Sequence, residues 1–340
     1  MIRRLVLVLL LLPAVVPAQD SDVALNVTIT AFGSGVEDVR SAYAEFGVFP
    51  RIRAIEAQFL PFALRRQLAA TGHWGAVRVA EDGDVIEELV IRGNILRSDG
   101  RLLEIHITAV DASGDSWLDR TFSAAPTPDA AQPAYERLFA DVVAGLESAR
   151  RARAPDALAR LRDTALLRYG ARLAPSTFGQ YIETSSDGRT TVLRLPAYGD
   201  PMLDRIRRIR EAEYVIVDAT DEKFEVLHAD VNTIYRVWRE FNRQSLVYEA
   251  SDERRISDSP SPGQRGSYEA LLHAYENYKY SRITAEERDD MAVAFDNEVR
   301  PIIERLDERL EFYAAWREAK YSEWNRLLEE LHAVETGLGE

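Results

Sequence analysis

The sequence predicts an α+β protein: an N-terminal mixed and largely antiparallel sheet with packed helices, followed by an elongated, mostly α-helical bundle. Three observations predict it. Short runs that alternate apolar and polar residues fill the first 125 positions, Asp-Gly and Ser-Gly pairs punctuate them, and apolar residues recur at heptad spacing beyond Pro201.

The chain opens with Arg3 and Arg4, an apolar run from Leu5 to Leu12, and a small-residue end at Val16-Pro17-Ala18. That order is the pattern of a cleaved secretory signal peptide over residues 1–18, and the run is too short to span a bilayer. No later segment is long and apolar enough either, so the expected mature chain starts near Gln19 and has no integral membrane segment. Residues 19–152 then form the expected α+β domain. "DVALNVTITAF" alternates as a half-buried strand, and Gly33-Ser34-Gly35 ends it. A helix follows Pro50, with Ile52, Ile55, Phe59, Leu64 and Leu68 at helical spacing. Pro61 is expected to kink or divide that helix, and Gly72 to cap it.

Four strand-like runs come next. They are "AVRVA", "IEELVIRGNILRS", "RLLEIHITAVDA" and "SWLDRTFSA", separated by Asp82-Gly83-Asp84, Asp99-Gly100 and Ser113-Gly114-Asp115. Such pairs favour tight hairpins, so the four are expected to form an antiparallel meander. A covering helix is expected from Pro133 to Ala152. Residues 153–340 form the expected helical domain, with a helix from Pro155, one hairpin around Asp187-Gly188, and an antiparallel helical pair. Its first seam is Phe224, Leu227, Val231, Ile234, Trp238 and Phe241. The second runs Ile303, Leu306, Leu310, Tyr313, then past Arg317 and Lys320 to Trp324, Leu327, Leu331 and Val334. The Ser-, Pro- and Gly-rich residues 257–267 are expected to be a mobile loop between them.

The N-terminal motifs carry a resemblance. A helix ending in Thr71-Gly72, an aromatic and "VRV", then "VIRGNILRSDGRLLEIHITAVDASGDSWLD" resemble a domain shared by three envelope groups. These are the curli secretion channel (CsgG-like) family, the lipoprotein activators of penicillin-binding proteins, and the amino-terminal domain of TolB. Gly93 matches the strand glycine, Asp111 and Gly114 the hairpin, and Trp117 the closing aromatic. The resemblance covers about a third of the chain and implies an envelope protein that works through protein contacts. The chain lacks the lipid-bearing cysteine of a lipoprotein and any pair of long amphipathic strands for a membrane barrel.

Composition narrows the function. The 340 residues hold no cysteine, which excludes disulfides, thiolate catalysis and thiolate zinc sites. A disulfide-free secreted chain of this length fits a bacterial periplasm. The net charge is −14, and residues 267–340 hold 18 acidic against 9 basic side chains, which disfavours nucleic acid and anionic membranes as partners.

No catalytic, cofactor or metal set is legible. His73, His106, His228, His273 and His332 show no metal spacing, and His106 lies on the polar side of its strand. His73 reads as a turn residue within "ATGHWGAVRV". Gly33-Ser34-Gly35 lacks the Lys and the immediate helix of a phosphate loop, and Asp82 with Asp84 read as turn formers. Aromatics cluster late in the chain, and Tyr278, Tyr280, Trp316 and Tyr321 are the candidate partner-binding residues. The expected function is therefore a non-enzymatic periplasmic protein that binds a partner in envelope assembly, export or wall synthesis, with oligomerisation allowed. An envelope hydrolase with a site assembled only in the fold, and a soluble accessory subunit of an outer-membrane export channel, are the alternatives.

Overall fold

Strand β1 (Val27–Thr30) organises the sheet, because all four of its residues are buried. The computed structural model describes residues 23–35, 50–80, 85–98, 102–125, 134–219 and 221–222, and scattered positions between 297 and 334. From β1 the chain crosses through helix α1 (Pro50–Ala70) to β2 (Val77–Ala80), which pairs parallel with β1, Val27 opposite Val77. Strand β3 (Leu89–Ser98) pairs parallel on the other side of β1, and β4 (Leu103–Asp111) and β5 (Ser116–Ala124) continue antiparallel. The order is β2-β1-β3-β4-β5, a mixed sheet.

The expected meander is thus right for β3, β4 and β5 and wrong for the step from β2 to β3. A strand buried on both faces satisfies its amides best with a neighbour on each edge, so β1 lies between them. β2 and β3 are not paired with each other, and Asp82-Gly83-Asp84 lies outside the described residues.

Pro61 does not divide α1, which runs unbroken from Pro50 to Ala70. A proline lacks the N–H that would bond the carbonyl four residues back, here that of Ala57. The Phe32 N–H donates to that carbonyl at 2.9 Å instead, tying the end of β1 to the helix. Gly72 ends α1 at φ +69°, as expected of a cap.

Helix α2 (Ala134–Arg151) packs beside α1 on one face of the sheet. Leu60, Leu64 and Leu68 of α1 and Phe139, Val142 and Leu146 of α2 meet Ile29, Ile91, Ile105 and Ile107 in a single core. The Phe32 ring lies against Gly93, where a Cβ would stand 2.6 Å from it, so the strand glycine makes room for an aromatic.

Helix α3 (Pro155–Leu173) starts at the expected proline and joins two cores. Its Leu158, Leu161 and Ala165 belong to the first; Leu167, Tyr169 and Leu173 belong to a second with Phe178, Met202, Ile206 and Leu328. The short helix α4 (Pro175–Phe178) seats Phe178 against Gly170, a 3-10 turn (Gly179–Tyr181) follows, and β6 (Ile182–Thr184) and β7 (Thr190–Val192) form the expected hairpin, with Gly188 at φ +84°. Residues 201–219 form helix α5.

The first heptad seam and residues 257–267 lie outside the described residues. The described positions from 297 to 334 are helical; of the second seam, Ile303, Leu306, Leu310, Tyr313, Arg317 and Leu331 lie outside the described residues, and Trp324 is half-buried. Leu327 and Val334 are exposed, whereas Leu328 is buried in the second core. One residue turns a helix by about 100°, so Leu328 faces α3 and α5 while Leu327 beside it faces away. Lys320 pairs with Glu323 of its own helix at 2.7 Å.

Candidate functional site

A groove of about 610 Å3 opens between the β4–β5 turn, the first half of α3 and β7. The turn is built on Asp111, a buried residue whose Oδ1 accepts hydrogen bonds from Ser113 N–H, Ser113 Oγ and Asp115 N–H. Its Oδ2 accepts one from Trp117 Nε1 at 2.7 Å. Every one of these bonds shapes the hairpin, so Asp111 serves as the anchor of the turn. Gly114, at φ +89°, lets this turn abut the β6–β7 turn, since a Cβ there would lie 2.9 Å from the Gly188 carbonyl oxygen. Asp115 pairs with Arg189 at 3.0 Å and Thr190 N–H donates to the Ser113 carbonyl at 2.8 Å, which fixes the groove floor.

The groove wall carries three guanidinium groups. Arg153 stacks 4.1 Å over the Trp117 ring, and Arg194 bonds Gln180 and faces Tyr181. Arg160 is exposed, and its guanidinium has no partner among the described residues. Leu195, which lines the groove, is exposed, and so are Leu193 and Tyr198 close to it along the chain, Tyr198 completely. Three large apolar side chains exposed within six residues, next to a concave surface, form a contact patch rather than a scatter.

A second polar cluster holds α5 against the sheet. Arg210, 7% exposed, donates to Glu87 at 2.8 Å, to the Ile86 carbonyl at 2.9 Å and to the Ala165 carbonyl at 3.3 Å. Tyr214 Oη bonds both oxygens of Glu87, and burial beside that carboxylate pushes the phenol well above its usual range. Arg78 stacks 3.9 Å over Tyr214 and forms a two-pronged pair with Asp218 at 2.7 and 3.1 Å. Asp221 accepts the Val79 N–H at 3.3 Å and lies 3.6 Å from Arg65 Nε, and burial pushes its carboxyl up to about 7. Glu88 is raised to about 7 for the same cause, although it accepts the Asn26 N–H at 2.7 Å. These groups seal the outer edge of β2, where Arg65 Nε donates to the Val77 carbonyl at 2.9 Å and Asp221 takes the Val79 N–H. The sequence carried a signal for them: Arg210, Tyr214 and Asp218 are four residues apart, a polar stripe on a helix whose Ile206 and Val217 are buried.

The histidines do not assemble a site. His106 Nε2 is 3.2 Å from Asp119 and its Nδ1 3.3 Å from Thr121 Oγ1, but all three stand on an open strand face outside the groove. These are cross-strand contacts. His73 is exposed at the end of α1 and meets the buried Glu147 at 3.1 Å. Gly33 pairs with Asn94 of β3, and Gly35, at φ +67°, passes so close that a Cβ would lie 2.0 Å from the Ile95 carbonyl oxygen. That loop is a sheet contact. Tyr278, Tyr280, Trp316, Tyr321, His228, His273 and His332 lie outside the described residues. Among the described residues no group of His, Asp and Glu is placed to hold a metal ion, and no helix is long and apolar enough to cross a membrane.

No protein-family model and no curated protein matches the chain. Solved structures do. PelC from Paraburkholderia phytofirmans, solved as a dodecamer, matches at 11% identity and a TM-score of 0.26, covering 36% of this chain and 90% of that one. Protein XCC0632 from Xanthomonas campestris, of family DUF330, matches at 14% identity and a TM-score of 0.24, covering 38% of this chain and 84% of that one. Neither is a curli secretion channel, a penicillin-binding-protein activator or TolB.

Proposed function

We propose that this chain is a non-enzymatic periplasmic protein that binds a protein partner during envelope assembly, export or wall synthesis. The observation that carries the reading is the groove beside exposed Leu193, Leu195 and Tyr198. Enzyme clefts bring titratable groups to a reacting atom, whereas the buried carboxylate of this groove, Asp111, is consumed by hydrogen bonds within its own turn. Interface anchors are large side chains presented beside a fixed surface; Leu195 stands in the groove wall and fully exposed Tyr198 follows three residues later. The signal-peptide pattern of residues 1–18 and the absence of cysteine support the compartment. The aromatic group Tyr278, Tyr280, Trp316 and Tyr321 is a second proposed contact, in a helical domain proposed to begin at residue 153.

The test is photo-crosslinking in the native host from a reactive residue placed at Tyr198, with one at exposed Arg207 as the control. A discrete adduct from 198 in the periplasmic fraction, absent from 207, is the expected result. Retention of the chain in the cytoplasm, or no adduct from 198, overturns the reading. The same recovery with Trp316→Ala and Tyr321→Ala tests the second contact, which fails if both folded variants keep the adduct at full yield.

A further inference from the structure

We infer that the outer edge of β7 takes an extended peptide of the partner by strand addition, with an acidic side chain of that peptide on Arg160. This rests on the partner-binding reading of the groove and names what enters it.

The register of the β6–β7 hairpin sets which amides face out. Ser185 N–H donates to the Arg189 carbonyl at 2.9 Å and Leu193 N–H to the Tyr181 carbonyl at 2.8 Å, so Arg189, Thr191 and Leu193 turn their amides toward β6. Alternation sends those of Thr190 and Val192 the other way. Thr190 N–H does bond the Ser113 carbonyl on that side. The next outward groups, the N–H and C=O of Val192, therefore open into the groove that Val192 helps to line. They have no hydrogen-bond partner among the described residues.

The contrast with β2 gives this edge its meaning. An uncovered strand edge is a template for pairing, and folds normally blunt it. Here the β2 edge is closed by Arg65 and Asp221, while the β7 edge is left open at the mouth of a groove whose volume is that of a ligand site. Main-chain pairing of this kind gives affinity, and pockets beside it give selectivity.

Charge supplies the selectivity. Asp111 is used within its turn, and Asp115 is paired with Arg189. What remains in the groove lining is three guanidiniums, Arg153, Arg160 and Arg194, against Asp163, the one carboxylate there without a partner among the described residues. Of the three, Arg160 has no partner among the described residues, and its planar fork matches a carboxylate.

A phage-displayed random octapeptide library panned on the full chain supplies the probe, and the most enriched peptide is then synthesised with a fluorophore for anisotropy. Enriched peptides are expected to carry an acidic residue. Val192→Pro removes the outward N–H without touching a bond to β6, and should weaken binding about tenfold, as should N-methylation of alternate peptide amides. Arg160→Glu should reverse the preference between the peptide and its Glu-to-Lys counterpart. Failure of the library to enrich, equal binding by Val192→Pro and by the N-methylated peptide, or an unchanged charge preference in Arg160→Glu overturns the inference. So does concentration-dependent self-association that Val192→Pro abolishes, since a second copy would then occupy the edge. If the adduct from Tyr198 survives in Val192→Pro at full yield, strand addition fails while the partner-binding function stands.

Discussion

Asp221 makes the attachment of α5 sensitive to pH, and Asp221→Asn isolates that sensitivity. The side chain is 2% exposed, and its carboxyl is held near 7 chiefly by burial, with Arg65 and the Val79 N–H pulling the other way. In the unfolded chain the same group titrates near 3.9. Between about pH 4 and pH 7 the folded protein therefore keeps a proton that the unfolded chain has lost. A folded-state value above the unfolded one contributes stability that is present below about pH 4 and is lost as pH rises to 7. Three pH units at 1.36 kcal/mol each give an upper figure of about 4 kcal/mol from this group. Glu88 acts in the same direction, from its ordinary value to about 7.

Asparagine keeps an oxygen for the Val79 N–H and cannot ionise. The variant should match the parent below about pH 4, exceed it by about 1 kcal/mol at pH 4.5, and gain further up to about pH 7, by as much as about 4 kcal/mol in all. Urea unfolding followed by tryptophan fluorescence at pH 4.5, 6, 7 and 8 measures the difference, and hydrogen exchange at the Val79 amide reports detachment of α5 if that comes first. A stability difference that is constant over these pH values would refute the reasoning, because it would mean that Asp221 titrates alike in both states.

Glu87→Ala should cost about 3–5 kcal/mol by leaving the Arg210 guanidinium buried without its counter-charge; urea unfolding checks this, and Glu87→Leu combined with Arg210→Met should recover most of the loss. Gly93→Ala places a Cβ 2.6 Å from the Phe32 ring and should cost about 1–3 kcal/mol, partly relieved by Phe32→Leu. Trp117→Phe removes the 2.7 Å bond to buried Asp111 and should cost about 1–3 kcal/mol, with faster amide exchange at Thr190 because the turn that receives its hydrogen bond loosens.

What was legible in the sequence was local. Asp111, Ser113 and Gly114 announce a hairpin because the side chain that shapes the turn is two to four residues from the amides it binds. Gly72 ends α1, and Pro155 starts α3, for equally short-range reasons. The misreadings arise where a distant group answers a local defect. Pro61 leaves the Ala57 carbonyl without its helical donor, and only the fold shows that Phe32 supplies one. Val77 and Val79 alternate as one side of a hairpin would, yet β1 occupies the place beside them. The buried charges Arg78, Glu87, Arg210 and Asp221 are passed over for a related reason: charged residues are mostly exposed in folded proteins, and the partners that bury these are distant in sequence. The groove belongs to this class. Its walls come from residues 111–115, 153–164 and 190–195, and the pairing of β7 with β6 turns the amides of Thr190 and Val192 to the side on which Ser113 lies. The strand period was readable at "TTV", and the hairpin with β6 sets which of its amides face out, but what lies on that side, a turn some eighty residues earlier, is visible only in the fold.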